Sequence, residues 1–179
     1  MVGTNEILLK ENGQWLHFAL PHQLISAATL EEVLPALREI ERLVNAGVVV
    51  VCAGGGGIPV FMDDEGLHGV EAVIDKDLTA ALLAEELGAA RLIMLTDVSC
   101  VERDWGTPVA TPISTATPDE LRALSFASGS MGPKVEAACR FVEHTGGDAV
   151  IGSLAELDAV SRGEAGTRIS PARAALAVP

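Results

Sequence analysis

Val48-Val-Val-Val-Cys-Ala-Gly-Gly-Gly-Gly57 joins an unbroken β-branched run to four successive glycines. A run of this kind predicts a strand over Val48–Cys52, buried on both faces as in a parallel sheet. Open α/β sheets take their ligands outside the carboxyl ends of the strands, where Gly54–Gly57 falls. Four glycines let backbone N–H groups turn toward an anion at close range. Two familiar phosphate loops do not fit. The Walker pattern needs Gly-Lys-Ser/Thr where Ile58-Pro59 stands. The dinucleotide fingerprint needs a third small residue on an incoming helix, but Pro59-Val60 reads as extended.

Outward from this stretch the chain alternates strand and helix patterns. Strand-like pieces occur at Ile7–Leu9 and Trp15–Leu20. Thr29-Leu-Glu-Glu32 has the form of a capping box, for a helix reaching about Asn45 with Gly47 beyond it. Pro59–Met62 and Leu67–Ile74 flank Asp63-Asp-Glu-Gly66 as a hairpin or loop excursion. Leu78–Leu87 is apolar nearly all round, as in a buried helix. Arg91–Leu95 is a strand ending at Thr96-Asp97, and 98–118 reads as loop. Pro118–Leu124 is a short helix. Val135, Ala138, Cys139 and Val142 fall on one stripe, with Glu136 and Arg140 on the other side. Gly146-Gly147 closes that helix before a strand from Asp148 to Ile151. A helix over Ser153–Ser161, a short strand over Thr167–Ile169 and a loose tail from 171 follow. The expected fold is α/β, an αβα sandwich around a mainly parallel sheet, in one domain.

Two lysines oppose simple helix stability. Lys76 closes Gly69-Val-Glu-Ala-Val-Ile-Asp-Lys-Asp77 where an apolar run gives way to a helix pattern. Lys134 follows Ser128-Gly-Ser-Met-Gly-Pro at the start of another. A cation in a first helical turn meets the positive end of the helix dipole, at a cost of roughly 0.3–1 kcal/mol. An anion such as phosphate at both helix starts accounts for the pair. Two lysines, glycine-loop amides and a positioning carboxylate are the parts of phosphoryl transfer by orientation and charge neutralisation.

Composition narrows the classes. The 179 residues are 49% hydrophobic and 21% charged, as in a folded domain with a real core. A net charge of −13 offers phosphate-rich nucleic acid no basic stripe. Cys52, Cys100 and Cys139 form no Cys-x-x-Cys pair, so neither a disulfide framework nor a zinc site is expected. His17, His22, His68 and His144 suggest no Ser/His/Asp set. No leader or bilayer-length apolar run is read, and the expectation is a cytoplasmic protein that binds no membrane.

Gly54–Val60, Gly69–Leu78, Leu95–Val98, Gly129–Glu136 and Ile151-Gly-Ser-Leu154 together resemble carbamate kinase, of the amino-acid-kinase superfamily. The likeness runs from about Ala46 to Ile169. It implies a kinase using MgATP and carbamate, or in reverse ADP and carbamoyl phosphate, with homodimerisation expected. On this resemblance Lys76 and Lys134 meet the nucleotide phosphates and the transferring phosphoryl group, and Asp77 organises the lysines. Gly54, Gly55 and Gly56 hold the carbamate side. Thr96, Asp97, Met131 and Gly132 border the nucleotide, with Trp105 as the aromatic candidate beside the base, where the family often has tyrosines. The family's opening Gly-Gly-Asn loop and a further lysine in a protruding subdomain have no counterpart. The resemblance is therefore to the carboxyl-terminal part of the family, with 1–45 divergent, 46–169 nucleotide-binding and 170–179 a tail. A non-catalytic nucleotide-binding sensor or assembly subunit is the alternative expectation.

Overall fold

A computed structural model describes residues 5–11, 14–20, 37–52, 60–63, 65–69, 71, 75–126 and 131–171. The tetraglycine loop, the capping box at 29–32 and the tail beyond 171 lie outside them. The chain divides into two compact units, 1–80 and 81–179.

In the first unit, β1 (Asn5–Glu11) and β2 (Gln14–Leu20) form an antiparallel hairpin in which Asn5 faces Leu20 and Glu11 faces Gln14. Both predicted strand pieces are there, each longer than the apolar pattern alone suggested for its partner. Helix α1 occupies 37–45 and buries Ile40 and Leu43, three residues apart on one face. A second hairpin pairs β3 (Val60–Asp63) with β4 (Gly66–Gly69) around the expected acidic turn. Helix α2 (Lys76–Glu86) begins at the lysine itself.

The valine run departs from its expectation. Residues 48–50 are not in a strand, and Val51 makes only an isolated bridge. Val49 is 86% exposed and Val51 62% exposed, so this is not a strand buried on both faces. β-Branched composition favours extended backbone, but a strand exists through ladder partners on its flanks. No ladder forms along 48–52 among the described residues.

The second unit is built on a four-stranded sheet ordered β5 (Arg91–Thr96), β9 (Asp148–Ser153), β10 (Thr167–Ile169), β8 (Thr115–Ala116). β5 runs parallel to β9, and β10 parallel to β8, while β9 and β10 are antiparallel. The sheet is thus mainly parallel. Its order follows from the connections. Helix α4 (Met131–Thr145) returns the chain for a parallel β9, whereas Gly163 and Gly166, both at positive φ, carry it from α5 (Leu157–Arg162) into the reversed β10.

Alternation along the strands separates two faces. Leu92 and Met94 of β5 lie opposite Ala149 and Ile151 of β9. These four share a core with Val135, Ala137, Ala138, Cys139, Phe141 and Val142 of α4. Leu121 of α3 (Pro118–Arg122) and Ala81 of α2 complete that layer. The even-numbered Val150 and Gly152 lie on the other face, where Gly152 meets Val160 of α5 and Val150 approaches Gly166. Helices on both faces of a mostly parallel sheet make the αβα arrangement. Burial also pushes the Cys139 thiol up to about 11, so it is a protonated core side chain near neutral pH.

Three local readings change. The stretch 98–118 contains a hairpin, β6 (Val101–Arg103) with β7 (Thr111–Ile113), followed by β8. Three prolines and polar residues obscured strands of only two or three residues. Helix α2 is less enclosed than its composition implied: Ala81 is fully buried but Leu78 is 36% exposed. The single helix over 153–161 is a 3-10 turn (Leu154–Glu156) followed by α5.

Thr167 ties the new hairpin to the sheet. It is fully buried; its hydroxyl accepts from the Val101 N–H at 2.8 Å and donates to the Ile113 carbonyl. Thr167→Val keeps the shape and leaves both backbone groups without that partner, at about 1–3 kcal/mol each. Urea unfolding is expected to show a loss of about 2–4 kcal/mol, with Thr167→Ser recovering most of it.

Candidate nucleotide and phosphoryl site

In the first unit the Asp75-Lys76-Asp77 triplet forms the start of α2 with a division of labour among its acids. Asp75 is the cap: its Oδ1 accepts from the N–H groups of Asp77 at 2.8 Å and Leu78 at 3.0 Å. Its carbonyl also accepts from the Thr79 hydroxyl at 3.0 Å. Asp77 is therefore not needed as the cap. It is buried at 9% exposure, and its Oδ2 lies 3.5 Å from the Lys76 ammonium. Lys76 itself is open to solvent, with 63% of its side chain exposed. A buried carboxylate thus pairs with an exposed lysine at this helix start, which capping alone does not require. Gly54, Gly55 and Gly56, expected on the carbamate side, lie outside the described residues.

In the second unit the parallel register of β5 and β9 sets Thr96 beside Ser153 at the carboxyl edge. The Thr96 hydroxyl donates to Asp97 Oδ1 at 3.0 Å, fixing the first loop residue. The Ser153 hydroxyl accepts from the Ala155 N–H at 3.2 Å and opens the 3-10 turn. Burial, and then the carboxylates of Glu102 and Glu156, push the Cys100 thiol upward.

Helix α4 supplies the third element at this edge. Its 15 residues span about 22 Å at 1.5 Å per residue. The six residues of β9 span about 20 Å. The helix packs on β9 and enters it through Gly146, at φ 71°, so it runs antiparallel to the strand. Its first turn, with Met131, Gly132, Pro133 and Lys134, consequently sits over the edge where Thr96, Asp97 and Ser153 end. No acidic residue occupies that turn, and Lys134 is half-buried. The helix starts at Met131, two residues before Pro133. Trp105 lies between β6 and β7 and is 62% exposed.

The register sets Thr96 beside Ser153 at one sheet edge, the antiparallel run of α4 turns Met131, Gly132 and Lys134 toward that edge, and Lys76 is paired separately with Asp77. Ser153 is an edge residue that motif reading did not single out as a site residue, although Ile151-Gly-Ser-Leu154 carried part of the resemblance. Among the described residues no three His, Cys, Asp or Glu side chains gather as a metal cage. No helix among them is long and apolar enough to cross a membrane.

The amino acid kinase family model matches residues 9–153, and the chain belongs to that family. Its relatives are carbamate kinases. That of Haemophilus influenzae is 54% identical over 135 residues, covering 75% of this chain and 44% of the relative. That of Escherichia coli K12 is 44% identical over 162 residues, covering 90% of this chain and 52% of the relative. Carbamate kinase from Giardia lamblia, solved bound to AMP-PNP, superposes with a TM-score of 0.72 at 34% identity. That match covers 88% of this chain and 53% of the Giardia chain. The chain thus spans about half the length of the relatives it matches.

Proposed function

We propose that this chain carries the nucleotide-binding part of a carbamate kinase and takes part in reversible phosphoryl transfer between ATP and carbamate. A carbamate oxygen bonds to the γ-phosphorus as the bond to the ADP oxygen breaks; the reverse direction makes ATP from ADP and carbamoyl phosphate. The observation that supports this reading is the β5–β9 register, which ends Thr96 beside Ser153, together with a helix α4 whose first turn carries Lys134 and no acidic residue. Lys134 neutralises phosphate charge there; in the first unit, Lys76 beside Asp77 is the other lysine assigned to phosphate. Mg2+ enters with the nucleotide as part of the substrate. The Giardia enzyme's AMP-PNP complex supports a nucleotide as ligand.

The alternative reading is a nucleotide-binding subunit without turnover. One experiment separates the two. Purified chain is titrated with MgADP and then assayed for ATP formation from MgADP and carbamoyl phosphate. ATP formation that disappears in Lys134→Ala supports the kinase. Binding without ATP supports the subunit, and absence of binding overturns both.

A further inference from the structure

Glu85 is a carboxylate of the second unit that the proposed chemistry does not use, yet its side chain is only 11% exposed. It lies in the last turn of α2 and takes two partners from α4. The Arg140 Nε donates to Oε1 at 3.1 Å, and the His144 Nδ1 lies 2.9 Å from Oε2. Arg140 and His144 are four residues apart, one turn on the same helix face. Sliding α4 by a turn would exchange one partner for the other, so the two together define a single axial register against α2. A nearly buried carboxylate gains little stability over an apolar residue of its size, which directs attention to geometry as its use.

On its α3 side α4 is held by Arg122, which donates to Glu136 at 3.0 and 3.2 Å and also pairs with Glu143; on the α2 side the apolar packing near its amino end is shallow. The buried residues nearest the first turn are Val135, Ala137, Ala138 and Cys139, mostly small, while the large Phe141 sits at the level of Arg140. Small side chains offer shallow ridges for neighbouring elements to lock against. Six residues, about 9 Å along the axis, separate Arg140 from Lys134. The helix dipole disfavours a lysine in that first turn.

We propose that Glu85 is a positioning residue: through Arg140 and His144 it fixes the axial register of α4 and so the placement of Lys134 over the Thr96–Ser153 edge. The functional half of this inference rests on the nucleotide reading above; the structural half does not.

The test compares the full chain with Glu85→Gln, Glu85→Leu and Arg140→Lys by amide hydrogen exchange and MgADP titration. In both Glu85 variants the N–H groups of 135–138, which bond to the first-turn carbonyls, are expected to exchange at least tenfold faster, with β9 unchanged. MgADP binding is expected to weaken about fivefold to tenfold. Arg140→Lys, which keeps the charge, is expected to stay within twofold of the parent in both measurements. Unchanged exchange at 135–138 overturns the inference whether or not MgADP binds. Exchange raised equally in α4 and β9 also overturns it, because that is a purely structural role. Faster exchange confined to 135–138 in a chain that does not bind MgADP upholds the positioning role and overturns the nucleotide reading alone.

Discussion

Lys76→Met is expected to weaken MgADP binding by about tenfold to a hundredfold while leaving the stability of the chain nearly unchanged. The two halves of that result come from different interactions. A hydrogen bond to a charged group is worth about 1.5–3 kcal/mol, and each 1.4 kcal/mol is a factor of ten in affinity. In the unliganded chain the Lys76 ammonium is well exposed and lies 3.5 Å from Asp77. Exposed pairs of this kind contribute about 0–1 kcal/mol. The unfavourable dipole at the start of α2 removes about 0.3–1 kcal/mol, which offsets the pair. Isothermal titration gives the first number and urea unfolding the second. A loss of more than about 2 kcal/mol of stability, well above what an exposed pair supplies, would show that Lys76 is structural. An unchanged MgADP affinity would remove it from the site. Asp77→Asn is the companion: it keeps the shape, cancels the carboxylate beside the lysine, and is expected to weaken binding in the same direction.

That lysine was legible because its local environment contradicts its residue type. Helix propensity and capping explain Asp75, whose carboxylate takes two backbone N–H groups, and leave Lys76 without a reason in the folded chain. The α4 stripe was legible for the opposite reason, since local pattern and tertiary burial agree from Val135 to Val142. Strands β5 and β9 follow suit, each a run of apolar residues bounded by turn signals. Legibility failed where an element depends on partners distant in sequence. The valines at 48–51 have the composition of a central strand, and Val49 is nonetheless 86% exposed, because ladder neighbours decide strand formation. The β6–β7 hairpin fails in the reverse sense. Its strands are too short to show alternation, and a single buried hydroxyl, on Thr167 more than fifty residues away, anchors both. At the site, lysines and loop ends could be named from sequence. The convergence of Ser153 on Thr96 required the strand register.

The second large effect is expected at the two glycines that let α5 and β10 close against β9. A methyl at Gly152 would lie 2.6 Å from Val160 Cγ2, on the face opposite α4. Gly152→Ala is therefore expected to cost about 1–3 kcal/mol, as overpacking of a filled core does. The obstruction is a side chain, so it can be removed. In a Val160→Ala background, itself destabilised by the cavity, the added methyl occupies vacated space. There Gly152→Ala is expected to cost less than about 1 kcal/mol, a coupling of about 1–2 kcal/mol in a double-mutant cycle. Gly166 is different in kind. Its φ is 87°, and a methyl there would lie 2.7 Å from the Ile151 carbonyl oxygen, which belongs to the ladder and cannot step aside. Gly166→Ala adds left-handed strain of about 1–2 kcal/mol to that collision. A loss of at least about 3 kcal/mol is expected, with no relief from Val150→Ala although Val150 Cγ1 is the nearest side-chain atom. Urea unfolding of the four single variants and two doubles decides both points. Equal rescue at both glycines would mean that β10 shifts away from β9 as a unit. No rescue at Gly152 would mean that Val160 is not what limits the approach of α5. The result bears on the site because Ser153 follows Gly152 directly: whatever keeps α5 close to β9 also sets where the 3-10 turn leaves the edge beside Thr96.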